Sequence, residues 1–175
     1  LPRCAIVAGL VLIISGCGIF KERRPPPPCP PIFILKDVGT LKRYKSGTAR
    51  DVTDVLFMAR MTDFQGVCDY NSKRTEVEID LKIALEIRRG PANIDRKVSF
   101  EYFVAIPQFH PKPQGKKILK IDGIFSERST ILRKNDQVSL VIPLSPKKRI
   151  DSYSIFLGFH LSKEELGENR LATKL

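Results

Sequence analysis

From Ile32 to the C-terminus, apolar and polar residues alternate with period two over most of the chain. The longest run sets Val77, Ile79, Leu81, Ile83, Leu85 and Ile87 in antiphase with Glu76, Glu78, Asp80, Lys82, Ala84, Glu86 and Arg88. Alternate side chains of a strand share a face, so this run predicts one apolar and one charged face; wound as a helix, the apolar set would scatter all round. Val98, Phe100, Tyr102, Val104 and Ile106 repeat the motif, as do Val138, Leu140 and Ile142. Tyr153, Ile155, Leu157, Phe159 and Leu161 give a late strand, with Phe156 and His160 on its other face. Val55, Phe57, Ala59 and Met61 predict an earlier one, continuing through a kink near Gly66 toward Cys68 and Tyr70. Ile32–Leu35 and Ile118–Phe125, the latter broken at Gly123, complete seven.

Turn chemistry separates these runs. Arg89-Gly90-Pro91-Ala92-Asn93 divides two strands, Pro107–Gly115 is a longer proline loop, and Asn135-Asp136 and Pro143–Lys148 are read as two further connections. Seven short strands at such spacing predict an all-β, antiparallel β-sandwich over 32–175, with the immunoglobulin or fibronectin type III arrangement drawn first and a closed barrel second. The core Trp and inter-sheet cysteine pair of antibody domains are absent from the sequence, so the likeness is one of architecture. Ser162-Lys163-Glu164-Glu165 fits a capping box for one short helical turn.

The first 16 residues break this pattern. Ala5–Ile14 is an unbroken apolar run of signal-peptide-core length behind a single cation, Arg3. Extended through Phe20 it makes roughly 24 Å of helix, short of the roughly 30 Å hydrocarbon layer. The run ends at Ile14-Ser15-Gly16-Cys17, and here the chain resembles the bacterial lipoproteins, whose lipobox sets a branched aliphatic residue and two small residues before a cysteine. A plain single-pass anchor, or a buried apolar helix with an incidental cysteine, is the rival reading. The resemblance implies a signal peptide over 1–16 and cleavage before Cys17. It also implies a diacylglyceryl group on the Cys17 thiolate and an N-acyl chain on its freed amine. Two or three acyl chains anchor stably where one is marginal. Gly18 rather than Asp after Cys17 implies the periplasmic face of the outer membrane, with the inner membrane as the alternative.

Lys21–Pro31, KERRPPPPCPP, follows as a spacer over 17–31 whose prolines favour extended polyproline II. With Cys4 in the discarded segment and Cys17 lipidated, Cys29 and Cys68 remain. In an oxidising periplasm they are expected to pair, the alternative being two free thiols.

Composition adds a charge and removes most chemistry. The net charge is +11 and becomes +10 once Arg3 leaves with the signal segment. Lys112, Lys116, Lys117 and Lys120 form a run without an acid, and Lys147-Lys148-Arg149 forms another; these are the candidate partner-binding residues. Outside the cytoplasm the attracted polyanion is an envelope polymer, lipid phosphate or an acidic protein, not a nucleic acid. The sequence contains neither G-x-S-x-G nor H-E-x-x-H nor C-x-x-C, and His110 and His160 read as a loop imidazole and a sheet-face histidine. No catalytic residue, metal ligand or cofactor beyond the acyl groups on Cys17 is expected. The expectation is therefore a non-enzymatic interaction or assembly module of the cell envelope, tethered by its lipid and binding an envelope protein or anionic polymer. Carriage of a lipophilic ligand and cell-wall hydrolysis are the alternatives.

Overall fold

The computed structural model describes residues 27–47 and 50–172; the expected signal peptide over 1–16, Cys17 and the spacer as far as residue 26 lie outside them. Eight strands form two four-stranded sheets: β1 (Ile32–Ile34), β2 (Thr40–Tyr44), β3 (Val55–Tyr70), β4 (Glu76–Arg89), β5 (Lys97–Ala105), β6 (Lys116–Ile124), β7 (Ile131–Pro143) and β8 (Ile155–Phe159), followed by one helix, α1 (Lys163–Ala172). One sheet has the order β1-β8-β5-β6 and the other β2-β3-β4-β7. The chain is thus an all-β sandwich, with two separate sheets in place of a closed barrel. It shares the layering of immunoglobulin domains, while the β2-β3-β4 meander stays within one sheet. All pairings are antiparallel except β1 with β8, where Ile32 stands beside Ile155.

The period-two faces meet between the sheets. Val77, Ile79, Leu81, Ile83, Leu85 and Ile87 of β4 are buried against Val98, Phe100, Tyr102 and Val104 of β5 and Ile155, Leu157 and Phe159 of β8 in one core. Phe100 is its aromatic centre, 6.0 Å from Phe57 and edge-on to Phe159 at 5.4 Å between ring centroids.

Several local expectations are corrected. β2 lies outside the seven strands that the alternation predicts: TLKRY buries one side chain, Leu41, and five residues with two adjacent cations carry no visible alternation. The irregularity in β3 falls at Thr62, not Gly66. Met61 pairs with Leu85 and Asp63 with Ala84, so Thr62 is an extra residue, and the inward positions shift from odd to even numbers. Gly66 instead lies under Ile32, where an added Cβ would come within 2.7 Å of its Cδ1. Gly123 does not break β6; it pairs with Val98, and its missing side chain admits Leu132 from the opposite sheet, 2.7 Å from where a Cβ would stand. Tyr153 sits in a 3-10 turn before β8, and Leu161 lies beyond the strand.

Asn135-Asp136 is not a turn but the middle of β7, opposite Ala84 and Ile83. Asp136 tolerates its inward position because the buried Tyr102 hydroxyl donates to its Oδ2 at 2.6 Å. Burial, followed by that hydrogen bond and the carboxylate charge, pushes the Tyr102 phenol far above its ordinary range, so it remains a donor throughout the physiological range. Tyr102→Phe removes the donor and leaves a carboxylate facing the core. A loss of about 2 kcal/mol is expected, a hydrogen bond to a charged group being worth about 1.5–3 kcal/mol. Urea unfolding checks it, and an unchanged midpoint would refute the bond's role.

α1 is longer than the single turn expected. Its capping box is complete: the Ser162 hydroxyl accepts from Glu165 N at 3.2 Å, and the Glu165 carboxylate accepts from Ser162 N at 2.8 Å. With no buried side chain, the helix is held by polar contacts to its surroundings. Glu165 pairs with Arg43, Arg50 with both Glu164 and Glu168, and the Asn169 amide donates to the carbonyls of Asp37 and Thr40.

Candidate interaction surface

The two ends of the sandwich differ in how the chain reaches them and in charge. At one end lie the β3–β4 hairpin (71–75), the β5–β6 connection (106–115) and the β7–β8 connection (144–154). Backbone hydrogen bonds order them: Leu144 N donates to Thr75 O at 2.8 Å, joining two connections, and Ile106 N to Gly115 O at 2.8 Å closes the third. The Phe109 and Tyr153 rings, one from each longer connection, are 5.8 Å apart.

The spacer enters the domain at this same end. Ile155 N donates to Pro31 O at 2.8 Å, Tyr70 OH donates to Pro28 O at 2.6 Å, and Cys29 and Cys68 are joined in a disulfide with Cα atoms 5.8 Å apart. The expected pairing is therefore present. β2 flanks β3 only as far as Arg60, and residues 28–32 lie beside the second half of β3 that β2 does not reach. We call this end the linker pole.

Both basic clusters singled out in the sequence come to the linker pole, with one exception. Lys112 and Lys148 line one groove of about 350 Å³ together with His110, Ser145 and Tyr153, and no carboxylate lines it. Ser145 N donates to the Tyr153 hydroxyl at 2.8 Å and Lys148 N to Ser145 O at 3.0 Å, which fixes the β7–β8 turn that carries Lys147, Lys148 and Arg149. Lys116 and Lys117 open β6 beside the same connection; the Lys116 ammonium lies 4.7 Å over the Phe103 ring. Lys120 is the exception. It stands four residues further along β6, about 13 Å away at the usual strand rise, and pairs with Asp122 at 3.2 Å.

Two basic residues at this pole lie outside the candidate set read from the sequence, Lys73 and Arg74 in the β3–β4 hairpin. The Asn71 side chain holds that turn, accepting from Thr75 N at 2.9 Å and donating to Thr75 Oγ1 at 3.0 Å, with Arg74 in the left-handed region at φ 53°. In sequence they are isolated beside Asp69 and Glu76, and only the Leu144–Thr75 bond brings them to the other clusters. Lys73, Arg74, Lys112, Lys116, Lys117, Lys147, Lys148 and Arg149 are all exposed. In these connections Asp151 is the one acid, paired with Arg149 at 3.1 Å; Glu76 flanks them on the outer face of β4.

At the opposite end, basic and acidic residues are mixed and paired: Arg50 with Glu164 and Glu168, Arg96 with Glu127 at 3.3 Å, and Arg170 with Asp37 at 3.3 Å. The surplus of positive charge is thus concentrated at the linker pole.

The histidines lie apart. His110 is in the groove; His160 follows β8, with its Nδ1 2.9 Å from Glu101 Oε2 on the exposed sheet face. Among the described residues, no three His, Cys, Asp or Glu side chains gather as metal ligands, and no helix is long and apolar enough to cross a membrane. Comparison of the chain with known protein families, curated proteins and solved structures returns no match.

Proposed function

We propose that this chain is a bacterial envelope lipoprotein, acylated at Cys17 and carrying its β-sandwich on a proline spacer at the periplasmic face of the outer membrane. There it acts as a non-enzymatic interaction module whose linker pole attracts an anionic envelope component. The observation that carries this reading is the convergence of two basic clusters, far apart in sequence, on one pole of the sandwich, where Lys112 from one and Lys148 from the other line a groove without a carboxylate. Hydrogen bonds fix the backbone of the connections that carry these cations, so little backbone ordering is needed when a polyanion arrives. The interior filled by the two sheets supports interaction at the surface over carriage of an apolar ligand.

The lipid and the pole are tested separately. Growth with a palmitate analogue should label the wild-type chain and not Cys17→Ser; equal labelling refutes the anchor. Combined reversal of Lys112, Lys147, Lys148 and Arg149 to Glu should reduce salt-sensitive retention of the chain on anionic envelope material at least tenfold, since each cation near a charged surface contributes about 1 kcal/mol. Undiminished retention refutes the pole as the contact.

A further inference from the structure

We infer that the anionic partner of the linker pole is the phosphate layer of the membrane to which the chain is tethered, so that the sandwich lies with this pole against the lipid. The inference rests on the lipoprotein reading above and names the partner for its basic site. Three observations meet in it.

First, the spacer and the positive charge share one pole. The disulfide to Cys68 and the Tyr70 bond to Pro28 hold the chain to the domain from Pro28 onward, beside the β7–β8 connection that carries Lys147, Lys148 and Arg149. From Cys17 to Pro28 the backbone can span at most about 40 Å. A lipid on Cys17 therefore keeps this pole, rather than the opposite one, nearest the head groups. Binding becomes intramolecular, and modest attraction then suffices to hold the domain down.

Second, the charge is distributed as a planar anionic surface requires. The eight basic side chains come from three connections of the sandwich and the start of β6, so they spread over the end of the domain, with two of them, Lys112 and Lys148, lining the groove. Each such cation near an anionic bilayer gains roughly fivefold in partition, within a screening length of about 10 Å at 0.1 M salt.

Third, the opposite end shows no such surplus: Asp37, Asp51, Asp54, Asp95, Glu127 and the acids of α1 stand among its cations, and Arg50, Arg96 and Arg170 are paired with acids of neighbouring segments. A domain so charged aligns its long-range field with its tether. The mixed-charge end and the outer sheet faces are then left to the periplasm.

The sequence contains no Trp, so an introduced one reports alone. Gln114→Trp places it on the exposed β5–β6 connection at the linker pole, and Ser126→Trp on the exposed β6–β7 connection at the opposite end. The full chain, purified with its lipid, is reconstituted into phosphatidylcholine vesicles with or without phosphatidylglycerol, and energy transfer to a dansyl-labelled head group is measured. Transfer from Gln114→Trp should rise severalfold with phosphatidylglycerol and fall back at about 1 M salt, where screening shortens to about 3 Å. It should also fall back when Lys112 and Lys148 are reversed to Glu. Ser126→Trp should give weak transfer throughout.

Equal transfer from both reporters, or transfer indifferent to phosphatidylglycerol, overturns the inference. Tight binding to an anionic polysaccharide without any response to phosphatidylglycerol overturns it in favour of a polymer. Sedimentation with pure phosphatidylcholine vesicles reads the anchor independently. A chain that fails to pellet with them refutes the acyl anchor, while the contrast between reporters on phosphatidylglycerol vesicles still decides the docking.

Discussion

Leu81→Asp is expected to leave the chain unfolded at 25 °C, while Lys82→Asp, one residue further on, is expected to fold with a stability within about 0.5 kcal/mol of the parent. Leu81 is 1% exposed in the middle of β4, between Ile79 and Ile83, with its side chain in the layer between the sheets. A carboxylate there finds no donor among these apolar neighbours. It must either desolvate as a charge or take up a proton, and either course is added to the lost Leu packing. The combined loss exceeds about 5 kcal/mol, which matches the whole stability of a domain at the lower end of the roughly 5–15 kcal/mol range. Lys82 projects from the other face, where its cross-strand neighbours are Gln65 and Gln137, both neutral, so reversing its charge removes no ion pair with them. Circular dichroism and urea titration of both variants check the contrast. A folded Leu81→Asp, or a Lys82→Asp as damaged as its neighbour, would show that the strand faces are assigned the wrong way round.

That contrast is readable from the sequence because β4 alternates over its whole length. Where an element is long and has one buried face, period two reports burial directly, and β4, β5 and the start of β3 are legible for this reason. Legibility fails where a tertiary contact replaces local chemistry. Asn135 and Asp136 have turn composition but lie within β7, because the Tyr102 hydroxyl reaches Asp136 from the opposite sheet. Gly123 has the look of a strand breaker but is small so that Leu132 can approach. β2 and α1 bury too little for any stripe to show; α1 is held by Arg43 and Arg50, more than 100 positions earlier.

The site divides along the same line. Lys112–Lys117 and Lys147–Arg149 stand out as acid-free runs in one dimension. Their meeting at one pole depends on β5, β6 and β8 being neighbours in one sheet, and that order is not written in any local pattern. Lys120 fails as a member of the cluster for a geometric reason, the strand having carried it away from the pole to Asp122. Lys73 and Arg74 join for the converse reason, a backbone bond between segments about seventy positions apart. Charge composition shows that the protein is basic, but only the topology shows that the surplus lies where the spacer enters.

Replacing Cys29 and Cys68 together by Ser is expected to reduce stability by about 4 kcal/mol, the chain-entropy value for a closed loop of this size, with residues 29 and 68 being 39 apart in sequence. The effect follows from what the bond closes. β3 has β4 along one side from Phe57 to Tyr70, but β2 covers its other side only from Val55 to Arg60. Residues 28–32 occupy the remaining edge, where the proline-rich chain supplies few backbone donors with which to form a ladder. The segment is therefore held on this side by the disulfide, the Tyr70–Pro28 hydrogen bond and the contact of Ile32 over Gly66, and on the β8 side by the bond from Ile155 N to Pro31 O. Without the sulfur bridge, two single hydrogen bonds and one apolar contact must offset the full entropy of ordering five residues, four of them proline or cysteine positions before β1. The linker should then come free as far as β1, exposing the second half of β3 as a sheet edge. Two measurements follow. The urea midpoint of the double variant should fall with the slope of the transition little changed, and amides of Val67 and Asp69 should exchange faster than those of Ala59. An unchanged midpoint, or exchange no faster at the end of β3, would show that the spacer is held to the domain without the bridge.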